Sequence, residues 1–126
     1  MNTTYKMTIA VLVGAVLGAA ASQVLHAQAK PPAYMITETT VIDGAALKEL
    51  LPKLGKTIDA AGGKFLTRGS RIVAFEGEAP KFFSIVMFPN LDAAQAWRDS
   101  AALKELNPLV AKAAKVRQFA AEGIAN

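Results

Sequence analysis

Three features of the sequence predict an α+β fold with one four-stranded antiparallel sheet. β-Branched and aromatic runs at 33–42, 64–68, 82–88 and 116–121 read as strands. Stretches between them carry apolar residues at helical spacing. The resulting order, β-α-β-β-α-β with the middle pair as a hairpin, is the split βαβ arrangement called ferredoxin-like.

Each element has its own warrant. "AYMITETTVI" (33–42) begins with alternation and is rich in β-branched residues. Asp43 is placed to cap a helix whose stripe is Leu47, Leu50, Leu51, Leu54, Ile58 and Ala61, with Gly62-Gly63 as its stop. Pro52 sits inside that stripe, so either one bent helix or a turn followed by a longer helix is expected. Segments 64–68 and 71–76 read as strands around Gly69-Ser70, and 77–80 as a second turn before strand 82–88. Asn90 caps a helix through Leu91, Ala94 and Trp97, and Ser100 restarts one carrying Leu103 and Leu106. Asn107-Pro108 predicts a break and a fresh turn, after which 116–121 forms the last strand.

The chain has 126 residues, enough for one domain and a leader. Residues 1–29 read as a signal peptide: Lys6, the apolar run from Met7, and the small-x-small site Ala27-Gln28-Ala29. Residues 30–33, with Pro31-Pro32, form a short spacer, and 34–124 the folded domain. The expected location is periplasmic or secreted. The alternative is a membrane anchor from an uncleaved leader, because Met7–Leu25 approaches spanning length.

There is no cysteine, and the one histidine, His26, leaves with the leader. The mature chain then lacks the usual side chains for thiol catalysis, a Ser-His-Asp triad, His-ligated haem or a zinc site. No cofactor and no metal are expected. The net charge of +4 falls to +3 without Lys6 and is scattered, which argues against nucleic acid as a partner.

In "FFSIVMF" (82–88), Phe82, Ser84, Val86 and Phe88 point one way, and Phe83, Ile85 and Met87 the other. Helices on one face leave those three large side chains uncovered. Exposing them forgoes roughly 1.5–3 kcal/mol each, comparable in sum with the stability of a small domain. A second copy, sheet against sheet, is the expected remedy: a homodimer.

The stretches "AYMITETTVID", "GGKFLTRGS", "FEGE", "FPNLDAAQAW" and "KAAKVRQFAAEG" resemble, in order and spacing, the family known as domain of unknown function 1330, over about residues 33–124. The resemblance implies a ferredoxin-like fold of the dimeric α+β barrel type and no assigned activity. The family's pattern falls here on Tyr34, Gly62, Gly63, Arg68, Gly69, Glu76, Gly77, Phe88, Pro89, Trp97, Glu122 and Gly123. It departs at Leu103, where relatives often have an aromatic, and near Val110, where they often have an arginine.

Five residues are candidates for a ligand site. Arg68 offers a planar fork to a carboxylate or phosphate, against a plainer reading as a solvated charge beside a turn. Glu76 and Glu122 would suit acid-base work, or simply backbone contacts at strand ends. Tyr34 and Trp97 would line an apolar pocket, or belong to the core. Two functions follow: a protein binding or transforming a small organic ligand in a pocket within each protomer, or a non-catalytic homodimeric periplasmic structural or interaction protein.

Overall fold

The computed structural model describes residues 30–125. The expected signal peptide, residues 1–29, lies outside the described residues. The elements run β1 (Ala33–Val41), α1 (Gly44–Ala60), β2 (Lys64–Gly69), β3 (Phe82–Phe88), α2 (Leu91–Arg98), α3 (Ala101–Ala113) and β4 (Ala114–Glu122). The four strands form one antiparallel sheet in the order β2-β3-β1-β4, the ferredoxin-like topology expected from the sequence. Among the described residues, no helix is long and apolar enough to cross a membrane.

The helices begin where capping side chains stand. Asp43 Oδ1 accepts from the Ala46 N–H at 3.1 Å, Asn90 Oδ1 from Ala93 at 2.8 Å and Ser100 Oγ from Leu103 at 3.3 Å. Each satisfies a donor that a helix N-terminus would otherwise orphan. α1 ends at Ala60 with Ala61 as its C-cap, and Gly62 follows with φ +81°, a left-handed conformation that glycine adopts without strain.

Two local expectations need correction. Residues 71–76 form no strand: β2 pairs directly with β3, and the chain between them leaves the sheet as a long loop. A strand needs a ladder partner. Beyond Gly69, at φ +152°, the chain has turned away from β3 and finds none. Nor does Asn107-Pro108 break its helix, since α3 runs unbroken through Pro108, as α1 does through Pro52. Both prolines are exposed, as are Lys48 and Lys104 four residues before them. The carbonyls that lose an intrahelical bond therefore lie on the solvent side, where water can satisfy them.

All three helices lie over one face of the sheet. The buried side chains there form two clusters. One gathers Met35, Ile58, Val86, Phe88, Trp97 and Leu103. The other joins Ala46 and Leu50 of α1 to Ala113 and Ala114 at the α3–β4 junction. α1 packs chiefly against α3. The opposite face carries Tyr34, Ile36, Phe83, Ile85 and Met87, half-buried by their neighbours in the sheet, and Phe119, 45% exposed.

Gly63 links α1 to the core at close quarters. A Cβ placed there would stand 2.7 Å from Ile58 Cγ2 and 3.0 Å from both Phe88 Cε1 and Val86 Cγ1. Those three are the largest fully buried side chains, with no room to yield. Gly63→Ala is expected to destabilise the domain by about 1–3 kcal/mol, the usual cost of overpacking, measured by chemical denaturation. Unchanged stability would show that the core accommodates the methyl group.

Candidate functional site

Between the helices and the sheet lies a cavity of about 290 Å³, near the lower end of the range for small-molecule sites. It draws its walls from both core clusters. Leu50, Leu54 and Val110 line it from the helices, and Met35, Phe65 and Val86 from the sheet.

The strand register explains why this space is hollow. Arg68 on β2 pairs with Ser84 on β3, Ser84 with Thr37 on β1, and Thr37 with Gln118 on β4. Directly paired residues share a face, and all four line the cavity. One polar row therefore crosses the whole sheet beneath the helices. Mostly apolar side chains flank it: Phe65, Val86 and Met35 form the next row on one side, and Phe82 and Val116, with the buried Thr39 between them, the row on the other. Strands are roughly 4.8 Å apart, so the row spans about 14 Å. Ser and Thr are short, and at the sheet centre they leave unfilled the volume that Leu or Phe would occupy.

The row is partly ordered by its own contacts. Gln118 Nε2 donates to Thr37 Oγ1 at 3.0 Å, which fixes the amide and leaves its carbonyl oxygen free to accept. The Arg68 guanidinium lies over the Phe65 ring, 5.0 Å from the centroid. Trp97 is 2% exposed and closes the opposite wall. Its Nε1–H donates to Thr57 Oγ1 at 3.0 Å, and that hydroxyl donates to the Leu54 carbonyl at 2.8 Å. The indole also tilts against Phe88, with centroids 6.0 Å apart.

The sequence candidates fall in different places. Arg68 and Trp97 both line the cavity. Tyr34 stands on the other face of the sheet, its ring against Gly123. Glu76 lies in the exposed β2–β3 loop, and Glu122 is exposed at the end of β4, opposite Ala33. The structure does not bring these three to the cavity. It adds Thr37, Ser84 and Gln118, which sequence reasoning did not select. Ser84 alone left a signal, a small polar residue between inward-facing Phe82 and Val86. Leu103 and Val110, the two departures from the family pattern, both belong to the cavity wall.

The chemistry on offer is hydrogen bonding and positive charge. Hydroxyls, carboxamides and two guanidiniums, Arg68 and Arg98, line the space, and among the described residues no carboxylate, lysine or histidine does so. Among the described residues, no group of three His, Cys, Asp or Glu is arranged to hold a metal ion.

An α+β sandwich with one sheet face under helices and a cavity beneath them defines a ferredoxin-like domain. The chain belongs to the family described as domain of unknown function DUF1330, whose model matches residues 32–124. No curated protein matches it. Among solved structures it is similar to the RPA0582 protein of unknown function from Rhodopseudomonas palustris, at 17% identity and TM-score 0.61, over 77% of this chain and 85% of that one. The methylated form of RPA0582 gives 16% identity and TM-score 0.63, covering 76% and 83%. It also resembles SnoaB, a cofactor-independent oxygenase from Streptomyces nogalater, at 8% identity and TM-score 0.56, over 76% and 96%. At these identities the likeness is one of fold.

Proposed function

We propose that the protein is an exported, homodimeric binder of a small organic molecule, held in the cavity within each protomer. The observation that carries this reading is the polar row Arg68–Ser84–Thr37–Gln118 beneath an apolar ceiling. Apolar walls with a few convergent polar groups are the composition of a ligand site. A chain selected for stability alone would fill such a space with aliphatic side chains. The lining favours binding and polarisation over general acid-base catalysis, because among the described residues no carboxylate or imidazole lines the cavity. Cofactor-independent oxygen chemistry, ascribed to SnoaB on this fold, needs a bound organic substrate first, so the site comes before the reaction in any test.

The pairing of two copies rests on the open sheet face. Tyr34, Ile36, Phe83, Ile85, Met87 and Phe119 form a continuous apolar surface there, bounded at one end by the Glu38–Arg117 ion pair at 3.2 Å. The β2–β3 loop also presents Val73 and Phe75, 74% and 95% exposed. Apolar area of this kind is characteristic of an interaction surface, and a second copy supplies an equally apolar, self-complementary partner.

Three outcomes check the proposal. Ser84→Leu adds apolar volume at the centre of the cavity. It is expected to raise stability by about 0.5–2 kcal/mol, as cavity-filling changes do, and to abolish ligand-induced thermal shifts seen in the wild type across a panel of small aromatic compounds. A panel with no stabilising member would remove the basis for a ligand site. Phe119→Glu puts a charge on the open face and is expected to convert dimers to single chains in sedimentation experiments at micromolar concentration. Wild-type protein that sediments as a well-behaved single chain would sink the pairing. Mass measurement on protein recovered from the cell envelope is expected to give a chain beginning at Lys30, and an intact N-terminus would replace export by anchoring.

A further inference from the structure

The site's chemistry narrows the class of ligand. We infer that the cavity selects a carboxylic acid with a compact apolar body, its carboxylate on Arg68 and its body beneath Leu50, Leu54 and Val110. The inference rests on the reading of the cavity as a ligand site. It goes further by assigning the ligand's charge, the group that recognises that charge and the orientation in which the molecule lies.

Charge is the first argument. Both ionised side chains that line the cavity, Arg68 and Arg98, are cationic and solvent-exposed, so they stand where the cavity meets water. Among the described residues neither is paired with a carboxylate. An apolar space with a cationic rim favours a molecule with an apolar end and an anionic end, oriented with its charge outward. The anion then keeps part of its hydration instead of being buried whole.

Geometry is the second. Arg68 lies over the Phe65 ring, a contact with the ring's π face that consumes none of the guanidinium's N–H donors in hydrogen bonds to a protein acceptor. A planar carboxylate matches that fork with two parallel bonds. The Ser84 hydroxyl, directly opposite Arg68 in the ladder, stands at the next position along the row toward the sheet centre. The far end of the row is neutral: the Gln118 carboxamide is fixed on Thr37 and suits an uncharged oxygen or N–H at the ligand's other end. A phosphate dianion would call on both guanidiniums of the lining, Arg68 and Arg98, and is therefore the competing ligand included in the test.

Trp97 makes the test direct. It is the only tryptophan in the chain and it lines the cavity, so its emission reports occupancy. The full chain is titrated with phenylacetate, its neutral isostere phenylacetamide, and phenyl phosphate. Phenylacetate is expected to change Trp97 emission saturably and to bind at least about tenfold more tightly than the amide, a difference of about 1.4 kcal/mol. Arg68→Met is expected to lower the acid to the amide's affinity and leave the amide unchanged. Equal affinity of acid and amide for the wild type would overturn the carboxylate assignment and leave the cavity reading standing. Tighter binding of phenyl phosphate than of phenylacetate would likewise overturn it. If none of the three alters emission or melting temperature, the cavity reading falls and the inference falls with it.

Discussion

Antiparallel pairing of β1 with both β3 and β4 is the constraint on which the molecule's organisation depends. β1 is central, and its register with both neighbours sets which side chains lie under the helices and which do not. Side chains alternate strictly along a strand, so a slip of β1 by one residue would send Met35, Thr37 and Thr39 to the open face and bring Ile36 and Glu38 beneath the helices. The two-cluster core opposes that slip. Met35 and Val86 pair directly and are almost wholly buried, and a slip of β1 costs Met35 its burial and Val86 its partner. The same pairing that builds the core also lines up Ser84, Thr37 and Gln118, so the hollow follows from the fold's own ladder and no special loop is required.

Much of the architecture was legible because it is written locally. Capping residues announced all three helix starts, and Gly62-Gly63 announced the end of the first. The element order sufficed for the topology. What was misread had a tertiary cause. The run "RIVAFE" (71–76) has the composition of a strand, yet composition says nothing about whether a partner edge lies within reach. Pro108 reads as a break in any local scheme. Its surroundings place the lost hydrogen bond in water, and packing of α3 against α1 carries the helix through.

The candidate site was legible only in fragments. Arg68 and Trp97 stood out by residue type, because guanidinium and indole carry recognisable chemistry wherever they occur. Thr37, Ser84 and Gln118 are ordinary residues that acquire meaning from one another, and Gln118 meets Thr37 across a separation of 81 residues. No window along the sequence contains that relation. Glu76 and Glu122 illustrate the converse: two carboxylates beside glycines look like a functional pair in one dimension, and the fold sends one to a loop and the other to a strand end.

Alternation along β1 and β3 has an evolutionary reading as well. On β1 the odd-numbered positions 33–39 face the helices, and the even-numbered positions 34–38 face the uncovered side; on β3 the parity reverses, with Ser84 and Val86 inward and Phe83, Ile85 and Met87 outward. Drift at one set leaves the other's surroundings almost untouched. A lineage carrying this sheet can therefore alter the shape of its interior with little change to its outer face, the two sets of residues being interleaved on the same few strands yet free to vary apart.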